Sequence, residues 1–251
     1  MDNSESGYWL SYGGGVNSTA LAVLLIEGLL PKYEPFRIVF ADTWTERDVT
    51  YQYITEVFMP YLARHGQLLE IVQPSEGVLR FWQMKSLTGS RTIRRCTQEA
   101  KRMPIKKYTG DGEMLIGIDA GEKHRAVDYP HRHYPLVLLG IDRTGCIEII
   151  QRARLPVPQK SGCWCCPFMR VGEVMELAKH EPIKFAKIER LEAAANLKHP
   201  GSILRTQWGD KPASYWRERA IAQGVLPLMY DIEMPCECFD GCDSSEKAGV
   251  L

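Results

Sequence analysis

A chain of 251 residues with 45% hydrophobic and 25% charged side chains can bury a self-sufficient core, and its composition excludes a disordered or collagenous chain. Its 31 basic and 31 acidic side chains cancel, so no overall field recommends a nucleic acid or a membrane as partner, and only local patches can argue for either. The apolar run from Ala20 to Ile26 is too short to span a bilayer, and residues 1–30 lack a basic segment followed by an uninterrupted apolar stretch. The expectation is a cytoplasmic protein without a membrane partner.

Gly7 to Tyr12 is a short apolar and aromatic run that enters Gly13, Gly14 and Gly15, after which leucines recur at helical spacing from Asn17 to Leu29. This reads as strand, glycine turn, helix. Phe36 to Ala41 is a second compact strand, ending at Asp42, and Glu46 to Arg64 reads as a long helix with Tyr53, Val57 and Tyr61 on one face. Leu68 to Val72 and Met114 to Ile118 are further strands. Between them lies a basic helical stretch around Arg94 to Tyr108, with Pro104 marking a boundary or kink. Residues 120–135 are polar and loop-like, and Leu136 to Leu139 adds a strand. Such alternation predicts an α/β fold of three layers, a Rossmann-like parallel sheet covered on both faces. From about Leu155 the character changes. LPVPQKSG is a proline-punctuated connector, followed by a cysteine cluster and helices near 171–196 and 212–223. The expected organisation is a nucleotide-binding domain over 1–155 and a mostly helical, cysteine-bearing region over 156–251.

A strand running into three glycines and then a helix places bare backbone N–H groups at the positive end of the helix, where a phosphate meets no Cβ. Ser18 and Thr19 add hydroxyl donors. The pattern is neither the Walker loop nor the dinucleotide fingerprint. A glycine-rich turn that binds nothing is the plainer alternative. Asp42 at the end of the second strand can accept hydrogen bonds from ribose or adenine, or serve simply as a helix N-cap.

The stretch GGGVNST from Gly13 to Thr19 resembles the PP-loop, Ser-Gly-Gly-x-Asp-Ser-Thr, of the ATP pyrophosphatase (adenine nucleotide alpha hydrolase) superfamily. Gly13 stands where the loop serine is usual, with Ser11 two residues earlier as its substitute, and Asn17 stands where aspartate is usual. Asp42-Thr43, the RRCTQEAKRMP segment, and GIDAGEKHRA with Asp119 in place of the usual arginine extend the resemblance, which is nearest to the PAPS reductase-like branch. It implies that Ser11, Gly13, Gly14, Gly15, Asn17, Ser18, Thr19, Asp42 and Thr43 bind the nucleotide.

Arg91, Arg94, Arg95, Lys101, Arg102, Lys106 and Lys107 crowd one segment opposed by Glu99 alone. That density can neutralise phosphate or sulfate, or it is a solvated helix face. Eight cysteines are unevenly placed, and in a reducing compartment such clusters favour metal ligands or reactive thiols over disulfides. Cys163-x-x-Cys166 has the spacing that lets two thiolates converge, and Pro167 follows as in many iron–sulfur runs. The resemblance adds Cys96 and Cys146 to Cys163 and Cys166 as a set of four ligands. Alternatively Cys146 is a small buried hydrophobe, and Cys96 beside Arg94 and Arg95 is a low-pKa sulfur carrier. Cys165 points elsewhere, the roles of Cys236, Cys238 and Cys242 stay open, and His124, His131 and His133 read as a polar loop.

If the resemblance extends to activity, ATP with Mg²⁺ is attacked at its α-phosphate, and sulfur displaces the resulting adenylate. Arg95 and Lys101 then meet the developing charge, and Cys96 carries or holds sulfur. The implied cofactor is a 4Fe-4S cluster, with zinc as alternative. The acceptor is a nucleic acid, as in tRNA thiolation or DNA phosphorothioation, and a cysteine desulfurase is the donor. Two other readings are a sulfonucleotide (PAPS/APS) reductase and a non-catalytic module that binds adenine nucleotides. Oligomeric state is not legible.

Overall fold

The structure is a computed structural model that describes residues 7–89, 95–201, 203 and 211–222. Cys236, Cys238 and Cys242 lie outside the described residues. Four compact apolar runs form β1 (Tyr8–Tyr12), β2 (Phe36–Ala41), β3 (Leu69–Val72) and β4 (Glu113–Ile116), and a two-residue β5 (Arg132–His133) completes the sheet. Every pairing is parallel and the order is β3-β2-β1-β4-β5. The chain therefore builds outward from β1 in one direction and then returns to its other side, which opens a crevice at the carboxyl ends of β1 and β4.

Alternation along the strands sorts the side chains. Leu10, Tyr12, Ile38, Phe40 and Leu115 face one buried cluster, and Trp9, Val39, Ala41 and Val72 face another. The first is covered by α1 (Val16–Ile26), by α2 (Asp48–Gln52) with α3 (Met59–Arg64), by the short α7 (Pro135–Leu138) and by α8 (Arg143–Arg152). On the opposite face lies α6 (Met103–Thr109), whose Ile105 seals the second cluster, while α4 (Val78–Lys85) and the three-residue α5 (Arg95–Thr97) precede it in the chain. The three-layer, Rossmann-like α/β arrangement expected from the sequence is present. Helix α1 is buried nearly all round, from Val16 to Leu25, because it lies between the sheet and α8. Packing holds it in place of an N-terminal side-chain cap, at about 1.5–3 kcal/mol for each buried leucine.

Two helices contain a wide, π-type turn, Tyr53–Phe58 and Gln98–Arg102, and each runs directly into a helix with proline in its first turn, Pro60 and Pro104. A proline ring clashes with the carbonyl four residues back and supplies no N–H, and the wider turn absorbs both defects without ending the helix. Pro104 thus marks a change of helix type. Leu136 to Leu139, expected as a strand, is instead α7 and its C-cap, because Pro135 at its first position favours helical φ and its run is too short to hold strand periodicity. The expected helix from Glu46 begins only at Asp48, since Glu46 forms an isolated antiparallel bridge with Cys163.

A third cluster joins Val78 and Trp82 of α4, Ala100, Trp164, Cys165 and Met169 to α9 (Val171–His180), α10 (Pro182–Lys198) and α11 (Ala213–Ala222). Helices after residue 155 therefore share a core with α4 and the segment around Ala100. No helix among the described residues is long and apolar enough to cross a membrane.

Candidate functional site

Beyond Tyr12 the chain must reverse into α1 within three residues, and glycine is required to do it. Gly14 has φ +71°, and a Cβ there would stand 2.8 Å from Thr50 Cγ2. Gly15 is the N-cap of α1 in extended conformation, and no side chain caps the helix. The helix start is thereby left open to an external acceptor. Ser18 and Thr19 do not serve as the free donors expected of them. Ser18 Oγ accepts from Gly13 N (3.2 Å) and donates to Gly15 O (3.1 Å). Thr19 Oγ1, fully buried, donates to Gly15 O at 2.8 Å and meets the Tyr12 hydroxyl at 3.2 Å. Both hydroxyls brace the turn, and the amides at its two ends, Gly13 N and Thr19 N, are taken up within it by Ser18 Oγ and Gly15 O. Ser11, one strand position before Tyr12, is buried with an unpartnered hydroxyl.

The exit of β4 forms the other wall. A Cβ on Gly117 would lie 2.8 Å from Ser18 N, so only glycine lets this strand pass over the first turn of α1. That approach brings Asp119 to Asn17, whose Nδ2 donates to Asp119 Oδ2 at 2.9 Å. Asn17, which departs from the loop pattern, and Asp119, which departs from that of the later segment, therefore touch each other. Asp119 Oδ1 accepts from Glu122 N, and Asn17 Oδ1 accepts from Arg143 Nη1 at 3.2 Å.

At the end of β2, Asp42 is not a helix cap. Its Oδ1 accepts from Trp44 N (2.9 Å) and the Tyr51 hydroxyl (2.5 Å), and its Oδ2 from Gln73 Nε2 (3.0 Å). Burial, and the carboxylate it serves, hold the Tyr51 phenol far above its usual pKa, so it remains a donor. Trp44 sits at φ +62° with its ring half exposed, a conformation that costs about 1–3 kcal/mol in a non-glycine residue. Thr43 is buried and turned inward: its Oγ1 donates to Glu46 Oε1 (3.1 Å) and lies 3.4 Å from Cys163 Sγ.

Glu46, which sequence reasoning did not single out, is the centre of the second half of the site. Its side chain is fully enclosed, Lys101 Nζ lies 3.0 Å from Oε1, and Oε2 is buried without a hydrogen-bond partner. The wide turn Gln98–Arg102 carries Lys101 inward, so its charge meets Glu46, while Arg95 stays exposed on α5. Cys163 opens a turn closed by Cys166 N to Cys163 O (3.1 Å), and Trp164 N donates to Thr45 O (2.9 Å). A Cβ on Gly15 would lie 3.0 Å from Ser161 Oγ, which places the start of this cysteine segment against the glycine turn.

Cys96, Cys163, Cys165 and Cys166 pack in or against the third cluster. Cys146 is not brought to them. It is completely buried between α8 and α1, and its charged neighbours are Asp119, Arg143, Asp142 and Glu122. The sequence offered the alternative of a small buried hydrophobe for it, and this is where it sits. The expectation of a low-pKa Cys96 is also reversed: burial pushes its thiol up, outweighing the Thr97 amide and the Lys101 charge. Burial raises Cys163 and Cys165 far more, with the Glu46 carboxylate adding to the shift at Cys163. Among the described residues no three His, Cys, Asp or Glu side chains are arranged to hold a metal ion. The four-thiolate set is therefore not assembled.

Fold and turn together define an α/β domain with a glycine turn and an uncapped helix start at the switch point of its sheet. No protein-family profile matches the chain. No curated protein matches it in sequence. Among solved structures it is similar to the U34-tRNA thiolase NcsA from Methanococcus maripaludis with its [4Fe-4S] cluster, at 13% identity and a TM-score of 0.46, over 96% of this chain and 80% of that one.

Proposed function

We propose that the chain is an adenylating ATP pyrophosphatase of the PP-loop superfamily that couples ATP to sulfur transfer. The observation that carries the reading is the joining of two halves: the segment 161–166 lies with Ser161 against Gly15 and with Cys163 bridged to Glu46. Thiols thus stand beside an open, glycine-lined helix start at the crevice where α/β sheets bind ligands.

In this reading the amides between Gly13 and Thr19, whose own N–H groups are engaged within the turn, receive the phosphate tail, and Asp42 and Thr43 border the nucleoside. An acceptor oxygen attacks the α-phosphate, the bond to the β-phosphate breaks, and pyrophosphate leaves with both electrons of that bond. Sulfur then displaces AMP from the activated acceptor. Arg95, exposed beside the thiols, meets the charge on the α-phosphate. Lys101 acts through Glu46, since its ammonium is engaged there. Mg²⁺, when bound, neutralises the phosphate tail. A nucleic acid is the proposed acceptor, a desulfurase the donor and the cytoplasm the location, with the nucleotide-binding unit over 1–155 and the cysteine-bearing region over 156–251.

An iron–sulfur centre, or zinc, fits the chemistry of Cys96, Cys163 and Cys166 but not their arrangement here, so no step is routed through it. Incubating the protein with ATP, Mg²⁺, thiol and bulk tRNA or DNA as acceptor tests the reading: release of pyrophosphate is the expected outcome. Sulfite release from a sulfated adenylate identifies a reductase instead, and nucleotide binding without turnover identifies a non-catalytic module.

A further inference from the structure

Arg143 is the first residue of α8, and its guanidinium lies at the first turn of α1. Both are positive helix ends, where a cation is disfavoured. Among the described residues its hydrogen bond is to a neutral amide, Nη1 to Asn17 Oδ1 at 3.2 Å, and not to a carboxylate. The anions around it have donors of their own. Asp142 accepts from Gly145 N, Glu122 is paired with Arg125 at 2.6 Å, and Asp119 accepts from Asn17 and from Glu122 N. Glu122 lies close enough to feel the Arg143 charge, yet its hydrogen-bonded partner is Arg125, so the Arg143 guanidinium keeps spare donors between two positive helix ends.

Its direction is set from the interior. Asp119 is 3% exposed and, as a carboxylate, only accepts, so Asn17 must turn its NH₂ toward it. The amide oxygen then faces outward, toward Arg143, which is exposed. Asp119, Asn17 and Arg143 form a short rod running from the core to the lip of the glycine turn.

We infer that Arg143 is a phosphate ligand: its guanidinium receives the distal phosphates of a nucleotide seated on Gly13–Thr19, and Asn17 and Asp119 are the positioning residues that aim it. The inference rests on the loop reading above. It explains why Asn17 replaces a carboxylate here, since an aspartate would pair with Arg143 and withdraw it from the phosphate.

Calorimetry on the full chain with ATP, AMP and inorganic pyrophosphate tests it. Arg143→Ala weakens ATP and pyrophosphate about tenfold while AMP changes less than about twofold, the size of one charge-assisted contact. Arg143→Lys lies between. Asp119→Asn, which frees the amide to flip, reproduces part of the loss, and adding it to Arg143→Ala weakens ATP no further. Because Arg143 is exposed and opposes its own helix dipole, the melting temperature of Arg143→Ala is not lowered. An unchanged ratio of ATP to AMP affinity in Arg143→Ala overturns the inference while leaving the loop reading intact. Wild-type protein that binds neither ATP nor pyrophosphate overturns both.

Discussion

The two halves of the site solve opposite problems. Around the glycine turn the side chains of Asn17, Ser18, Thr19 and Asp119 are satisfied by the protein, while the buried hydroxyls of Ser11 and Thr50 are not, and backbone amides and one exposed guanidinium remain at the surface. Around the cysteines the reverse holds. Burial keeps the thiols protonated, and a fully enclosed Glu46 leaves one oxygen unpartnered beside Lys101. In the proposed reading the first half is organised in advance for a charged ligand, whereas the second stores uncompensated polarity beside buried thiols.

The sharpest way to break this contrast is at Glu46. Glu46→Gln removes the charge that Lys101 is paired with inside the fold and should lower stability by about 3–5 kcal/mol. Adding Lys101→Met should restore most of that loss, because a buried pair is readily replaced by apolar groups of similar volume. Chemical denaturation reads both, and a Glu46→Gln chain as stable as wild type would remove the distinction between the halves.

Next in size is Gly14→Ala. Left-handed backbone and a methyl 2.8 Å from Thr50 Cγ2 together should cost about 2–4 kcal/mol. ATP affinity should fall with it, while Gly28→Ala, at φ +68° with open space around it, costs only the backbone strain. Equal losses at the two positions would mean that the turn is not close-packed.

The smallest effect sharpens the placement of Cys146. Burial, with Asp119 adding, pushes its thiol up to about 12, so near pH 8 almost none is thiolate, the form that alkylates. In metal-free protein, half-buried Cys166 should be modified by iodoacetamide ahead of Cys146, which reacts only on unfolding. Cys146→Ala should leave the metal content of anaerobically purified protein unchanged, because this thiol packs in a different cluster from Cys96, Cys163 and Cys166. Mass spectrometry of labelled peptides and iron analysis check the two statements.

Strands β1 to β4 were legible because each is a compact apolar run, and the glycine turn because only glycine accepts its backbone. Two residues, Arg132 and His133, carry too little pattern to announce β5. Helix α8 escaped notice because Thr144, Gly145 and Glu148 interrupt its apolar face, although Asp142 is a usable N-cap signal. Missing α8 hid both the burial of Cys146 and the reach of Arg143. Glu46 and Arg143 act across 55 and 126 residues of chain, to Lys101 and Asn17, and no local spacing encodes such a meeting. Charge runs mislead for the same reason: Lys101 looked like a free cation until its carboxylate appeared.

Hydrogen exchange of the backbone amides from Gly13 to Thr19, with and without saturating ATP and Mg²⁺, addresses the nucleotide cradle directly. Slower exchange concentrated in that peptide and in the peptide containing Arg143 is the predicted result. Saturating ATP that leaves those amides unchanged, or protects a different surface, would contradict it.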